Sequence, residues 1–360
     1  GNTIGDLNDT NSIILNSSST GNSGVNLIYC SGASDLSCSN NNIGGIALTN
    51  SSGAAFFLSC IRSKISSTKT FTCENNVIGG QSRNSIRNYT EYLYYAKIGG
   101  ISVSTSGSVI RDNRVSNMIT SSTGRNDPAS VIGISIDASS SSHLITGNDI
   151  HSLSNTHLLL SQSSDVTGLY FNATSGSNIV ERNHIHNLTA ENQQSIVRGM
   201  DIKNGTTTYK NNMIQLGSRP DGTNLETGAE IYGIEETGGS NIFCFNSIYI
   251  GGEPNGGSGN TYALLSTVLN NTRDYKNNIY YNSRSNYGSI GKHYALQVGG
   301  TIPNPAGLNM NYNVYFVDGS GGLLGRFNNI DIVDLIAWKS AVGQDSNSYF
   351  DNPHFIDPDG

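Results

Sequence analysis

Charge is scarce in this chain: Asp, Glu, Lys and Arg make up only 13% of it, and Trp occurs once. The 20 basic residues are scattered, and the formal net charge is −7. Binding a phosphate backbone needs concentrated positive charge, so nucleic acid is not expected as a partner. No apolar run reaches the roughly 20 residues of a membrane-spanning helix, so membrane insertion is not expected either. The opening GNTIGDLN lacks the basic and apolar regions of a signal peptide, which predicts a mature or cut-down product of something longer. The five cysteines form no CxxC and no His follows them at zinc-finger spacing, so neither a structural metal nor a cofactor is expected.

What is present is 42 glycines and abundant Asn, Ser and Thr, punctuated by isolated Ile, Val, Leu, Tyr and Phe. A surface made polar by amides and hydroxyls, with recurring apolar residues, suits an ordered, turn-rich β protein. At 360 residues the chain exceeds a usual single core, so several domains or one elongated repeat array are expected.

A repeat is legible. LITGNDIHSL (144–153) returns as IVERNHIHNL (179–188). Taking as marker an Asn two residues before an apolar one gives Asn2, Asn41, Asn76, Asn113, Asn148, Asn183, Asn212, Asn246, Asn278 and Asn313. A second, small marker lies between these at Gly100, Gly133, Gly168, Gly199, Gly233, Ala263 and Ala295. Each unit carries short segments of period-2 alternation, such as GISID, HLIT and NDIHSL, none long enough for a helix. Such units cannot close a core alone, and stacking them gives a parallel β-solenoid, an all-β β-helix of about ten coils over residues 1–325. The LxxLxLxxN signature of leucine-rich repeats and the long hairpins of propellers are both absent.

The marker Asn should sit at a corner, tolerating left-handed backbone angles and passing side-chain hydrogen bonds from coil to coil. The residue three before it should face inward: Ile110, Ile145, Val180, Tyr209, Phe243, Tyr275 and Met310, with Cys38 and Cys73 in the early coils. Cys30 and Cys60 each follow a small residue (Gly24, Ala54) by six positions. Disulfides Cys30–Cys38 and Cys60–Cys73 are therefore expected, with stacked, reduced core thiols as the alternative. Residues 326–360 should form a C-terminal helix, with Asp331 as N-cap, Ile332, Leu335, Ile336 and Val342 on one face and Gly343 at its end, followed by an extended Asp-Pro segment.

With NNNIGGIALT, NDIHSL, NHIHNLTA, FNSIYIGG, YKNNIYYNSRS and above all LIAWKSAVGQDSNSYFDNPHFIDPDG, the chain resembles right-handed parallel β-helix repeat proteins secreted by Bacteroidetes-type bacteria through the type IX system. The likeness covers nearly the whole chain. It implies the right-handed fold and a secreted or cell-surface location, and supplies no reaction. Relatives continue past the Asp-Pro segment into a sorting domain, so a fragment is expected.

The strongest carboxylate pair for catalysis is Asp201 and Glu235, predicted to lie one coil apart at about 4.8 Å, near Asp137 and Lys203. No further acid or Arg is expected to complete it. Tyr249, Tyr281 and Phe316 share an outward position and form a candidate strip for stacking sugar rings, unless loops or the terminal helix cover them. His151 and His186 occupy the same row, with Asp149 and His184 one place away. With side chains from only two coils on offer, they read as a solvated pair rather than a metal site.

The expected function is an extracellular structural or adhesive rod, with inserts at 121–130 and 217–230 as contact surfaces. Its partners would be surface glycans or further copies stacked end to end. The alternatives are a polysaccharide lyase or glycoside hydrolase acting through Asp201 and Glu235, or a noncatalytic glycan-binding module.

Overall fold

The computed structural model describes residues 1–18, 20–50, 55–89, 96–121, 129–138, 142–158 and 164–356. Among them, strands assemble into three sheets of 14, 11 and nine strands, here sheets I, II and III. One coil shows the winding: Arg114–Thr120 lies in sheet I, Val131–Ala138 in sheet II and His143–Thr146 in sheet III, before Asp149–Asn155 returns to sheet I. Each strand pairs in parallel with its counterpart one coil away. The chain is a parallel β-solenoid, and sheet III counts nine turns where about ten were expected. The insert expected at 121–130 falls largely at 122–128, outside the described residues, as does Ala54.

The core is built from in-register rows. Two residues after each marker from Asn41 onward, Ile43, Ile78, Val115, Ile150, Ile185, Ile214, Ile248, Tyr280 and Tyr315 stack down sheet I. Three residues before it, Cys38, Cys73, Ile110, Ile145, Val180, Tyr209, Phe243, Tyr275 and Met310 stack down sheet III. All are buried.

The marker Asn residues form a continuous ladder at the corner between sheets III and I. Each Oδ1 accepts from both the backbone N–H and the Nδ2 of the preceding Asn, at 2.8–3.2 Å, over nine steps from Asn2 to Asn313. From Asn76 onward Nδ2 also donates back to an inward residue's carbonyl, as from Asn148 to Ile110. Both amide protons and both acceptor sites are thus satisfied in a dry environment.

The left-handed angle falls elsewhere than expected. It belongs to the residue before the ladder Asn: Asn40, Asn75, Asp112, Gly147, Arg182, Asn211, Phe245, Asn277 and Tyr312 all have φ between 54° and 66°. The turn is therefore made one position earlier, which frees the Asn side chain to point inward.

The small marker has a steric cause. A Cβ on Gly133 would lie 2.5 Å from Ile150 Cγ2 and 2.6 Å from the Gly168 carbonyl, and Gly100, Gly168, Gly199 and Gly233 meet the same pair of obstacles. Gly133→Ala should cost about 1–3 kcal/mol in chemical denaturation by overpacking. An unchanged midpoint would show that the sheets can part at this row.

The same register corrects the cysteine alignment. Cys60 lies opposite Gly100, between the pairs Ser59–Gly99 and Ile61–Ile101, whereas Cys30 pairs with Ser63. Cys60 thus occupies the small-residue position itself and is not the equivalent of Cys30. Cys38 and Cys73 are partners on adjacent coils, and Cys30 lies beside Cys38. All five cysteines are free, so neither Cys30–Cys38 nor Cys60–Cys73 is bridged in this structure. Burial pushes the Cys60 thiol up to about 12, which holds it as an inert core group.

At the C-terminal end sheet II is capped. Gly322–Phe327 still pairs in sheet II, and Ile330–Ile332 folds back antiparallel on it. The helix Leu335–Val342 follows, with Asp334, not Asp331, as N-cap and Gly343 at φ 72° as C-cap. It buries Trp338 and Val342, while Ile336 faces solvent and Ile332 belongs to the preceding strand. Asp331 instead binds Lys292 and the Tyr294 hydroxyl. Asp345, one repeat beyond Asn313, terminates the ladder: it accepts from Trp338 Nε1 (2.8 Å), Tyr315 Oη (2.9 Å), Ser348 Oγ (2.5 Å) and Asn313 Nδ2 (3.3 Å).

Candidate functional site

Three side-chain groups on the outer faces invite chemistry, and the register positions each. On sheet II, Asp201 and Glu235 are partners on adjacent coils, as the spacing predicts. They are not alone. Glu235 binds Arg198 Nε at 2.5 Å, Arg198 also binds Asp165 at 2.8 Å, and Lys203 Nζ lies 2.7 Å from Asp201 and 3.7 Å from Glu235. The expectation that no further acid or Arg completes the group is therefore overturned. Arg198 stands three residues before Asp201 on the same strand, and the bulge at the small residue brings both to one face. Asp137 is not a member and accepts from Asn172 instead.

This cluster is closed. The Asp201 side chain is 1% exposed and that of Asp165 4%. Burial raises the carboxyls of Asp165 and Asp201 above their usual range, against the pull of Arg198 and Lys203. A glycosidic oxygen must come within hydrogen-bond reach of a general acid. A carboxylate so enclosed, with its oxygens facing Lys203, offers no such approach, and the group reads as a neutralising network in the wall.

On sheet I, the outward row three residues past the marker runs Ser116, His151, His186, Gln215, Tyr249, Tyr281 and Phe316. The aromatic end forms the expected strip, with Tyr249–Tyr281 and Tyr281–Phe316 ring centroids 5.0 and 5.1 Å apart. Phe355 packs against both tyrosines at 6.4 and 6.1 Å. Tyr249 and Tyr281 are consequently only 6% and 7% exposed, so the C-terminal tail occupies the place a sugar ring would take.

Further up the row, His151 stacks on His186 at 4.8 Å, and His186 stacks on His184 at 4.2 Å. Asp149 sits beneath all three imidazoles. Burial pushes His151 down to about 4 and also lowers His184. Burial of Asp149 acts to raise its carboxyl, but the hydrogen bond from His186 and the fields of the three rings leave it below the usual range.

No protein-family model, curated protein or solved structure matches this chain.

Two features have no signature in the sequence. A cleft of about 380 Å³ opens on the outer face of sheet II in the N-terminal coils, lined by Asn26, Ser59, Arg62, Lys97, Ser102 and Ser135. Its residues come from four coils and share no motif; only the register unites them. The insert 217–230, expected as a contact surface, is fastened to the body. Leu225 is buried in the core, and the enclosed Arg284 guanidinium donates to the carbonyls of Leu225, Gly251 and Thr227. Arg219 adds an ion pair with Glu191.

Proposed function

We propose that this chain is a noncatalytic structural rod of the cell exterior, adhering through its sides. The observation that carries this reading is the neutralisation of the Asp201–Glu235 group: Asp201 is buried, Glu235 is 13% exposed, and both are matched by Arg198 and Lys203. The polar cleft with Arg62 and Lys97 supplies a contact face whose cations and amides suit an acidic polysaccharide. The stacked aromatics of sheet I, covered by Phe355, serve the body rather than a ligand.

Assembly through the ends is asymmetric. Ser23–Gly32 and Leu36–Ser39 are terminal strands of sheets II and III, each with one neighbour among the described residues. A free edge of this kind can accept another strand. Head-to-tail stacking of copies needs open edges at both ends, and at the other end Ile330–Ile332 and the helix cap sheet II, while Leu308–Asn311 is the terminal strand of sheet III. This favours a rod over a self-propagating filament.

The test is incubation with a panel of acidic and neutral polysaccharides, followed by assays for new reducing ends, unsaturated products and retention. The expected result is retention on an acidic polymer, weakened by Arg62→Ala with Lys97→Ala, and no product. Turnover abolished by Asp201→Ala or Glu235→Ala would establish the enzyme reading instead.

A further inference from the structure

The imidazole and carboxylate group on sheet I does more than decorate the surface. We propose that Asp149, His151 and His186 form a site for one divalent transition-metal ion of the zinc class. One donor atom from each lies within 4.8 Å of the others. The residues come from two adjacent coils because Asp149 pairs with His184 and His151 with His186 in the parallel register, which places all four on one outward face.

The rings are aimed by their neighbours. The residue after each histidine, Ser152 or Asn187, is held in the left-handed region at φ 55° and 53°. That turn folds its side chain back onto the ring: Ser152 Oγ lies 2.9 Å from His151 Nδ1, and Asn187 Oδ1 hydrogen-bonds His186 Nδ1. Asn187 Nδ2 donates to the Arg219 carbonyl (3.0 Å) and Ser218 Oγ (3.3 Å), which leaves only its oxygen to face the imidazole. His186 Nδ1 must therefore carry the proton. In the neutral ring its Nε2 then presents a lone pair to Asp149 Oδ1, 3.2 Å away, and only a second proton makes it the donor to that oxygen; His151 Nε2 stands 3.7 Å from Asp149 Oδ2.

Lone pair facing carboxylate is unfavourable unless a cation lies between them or the ring takes a second proton. A metal resolves the conflict at His186, and it takes His151 Nε2 as well when the Ser152 hydroxyl accepts from His151 Nδ1–H. Fixing Nδ1–H by an outer hydrogen bond so that Nε2 points at the ion is the usual second layer of a histidine metal site. Two neutral imidazoles and one carboxylate select zinc, nickel, cobalt or copper over calcium and magnesium, which prefer all-oxygen shells. Bonds of about 2.0–2.2 Å require the donors to close in by about an ångström, leaving a fourth position for water or for His184. Both histidine side chains are 21% exposed and Asp149 is 44% exposed, so an ion can enter from solvent. The nearest cation on the preceding coil, Arg114, directs its guanidinium to the Gly80 carbonyl at 2.7 Å.

The experiment is calorimetric titration of the chelator-treated protein, free of any polyhistidine tag, with Zn²⁺ alone near neutral pH, alongside the visible spectrum of the Co²⁺ form. The expected result is one equivalent bound, with a Co²⁺ spectrum of nitrogen and oxygen ligation lacking thiolate charge transfer. His186→Ala and His151→Ala should each weaken binding at least tenfold. Ser152→Gly, which keeps the left-handed turn but removes the ring's support, should weaken it roughly tenfold, and His354→Ala should leave it unchanged. The melting temperature of each variant without metal separates misfolding from ligand loss, and the Co²⁺ spectrum of the unmodified chain stands apart from any variant. Substoichiometric binding, binding indifferent to His151→Ala and His186→Ala, or binding that disappears on thiol alkylation would overturn the assignment.

Discussion

Replacing Asn148 with Ala should lower stability by about 3–6 kcal/mol, one of the two largest effects of any single change in this chain. The substitution removes the donors that reach Asn183 Oδ1 (2.9 Å) and the Ile110 carbonyl (3.0 Å). It also removes the acceptor shared by the backbone N–H and Nδ2 of Asn113, at 3.1 and 2.9 Å. The Asn113 amide and the Ile110 carbonyl are then orphaned in a corner closed to water, and each orphan costs about 1–3 kcal/mol. Because each coil contacts only its neighbours, the damage stays local, and unfolding should separate into two transitions, one on either side of residue 148. Asn148→Asp should be at least as harmful, since its second oxygen would face the Asn183 and Ile110 oxygens. If Asn were there only because Asn is common, the loss would match that of the exposed Asn309→Ala, within about 0.5 kcal/mol. Denaturation monitored by circular dichroism distinguishes the two.

Loss of Asp345 should be comparably severe at the C-terminal end. Its carboxylate is the common acceptor for Trp338, Tyr315, Ser348 and Asn313, and both Trp338 and Tyr315 are wholly buried. Hydrogen bonds to a charged acceptor contribute about 1.5–3 kcal/mol each, so Asp345→Ala should cost about 4 kcal/mol or more after partial rearrangement. The residue also holds φ 66°, which Ala tolerates poorly. The expected outcome is detachment of the helix and of Tyr349–Phe350 from sheet I, with the preceding coils intact. Trp338 is the only tryptophan, so its fluorescence reports the cap alone. A red shift at a denaturant concentration well below the main transition is the predicted result. A single unshifted transition would mean that the cap is held by apolar contacts without Asp345.

The two changes show which parts of the molecule are readable from its sequence. The ladder and the inner rows are legible because they repeat: an Asn with an apolar residue two places on and another three places back recurs wherever the chain turns the same corner. The left-handed residue is hidden because its identity varies freely among Asn, Asp, Gly, Arg, Phe and Tyr. The backbone angle is constant along the solenoid while the side chain is not. Cys60 misleads an alignment because it fills the position held by Gly or Ala from Gly100 to Ala295 and by Leu27 and Leu324 in the outer coils, where its volume, not its thiol, matters. Asp345 does carry a signal, since it lies within the marker spacing of Asn313, with Ser348 beside it. The Arg198 partnership is masked by the bulge at Gly199, which turns residues an odd number of positions apart onto one face. The tail that covers Tyr249 and Tyr281 cannot be placed from spacing, because Phe355 lies outside the repeat.

Distance along this molecule counts coils, not residues. The outward positions Ser37, Thr72, Val109, Leu144, Ile179, Thr208, Ile242, Asp274 and Asn309 form one register line down sheet III. Spin labels introduced by noncanonical residues at Ser37 and Ile179, and separately at Ser37 and Asn309, measure it directly by dipolar spectroscopy. The predicted backbone separations are about 19 and 38 Å, four and eight strand spacings of about 4.8 Å, each with a narrow distribution. Distances that fail to double between the two pairs, or that spread broadly, would contradict a continuous stacked solenoid.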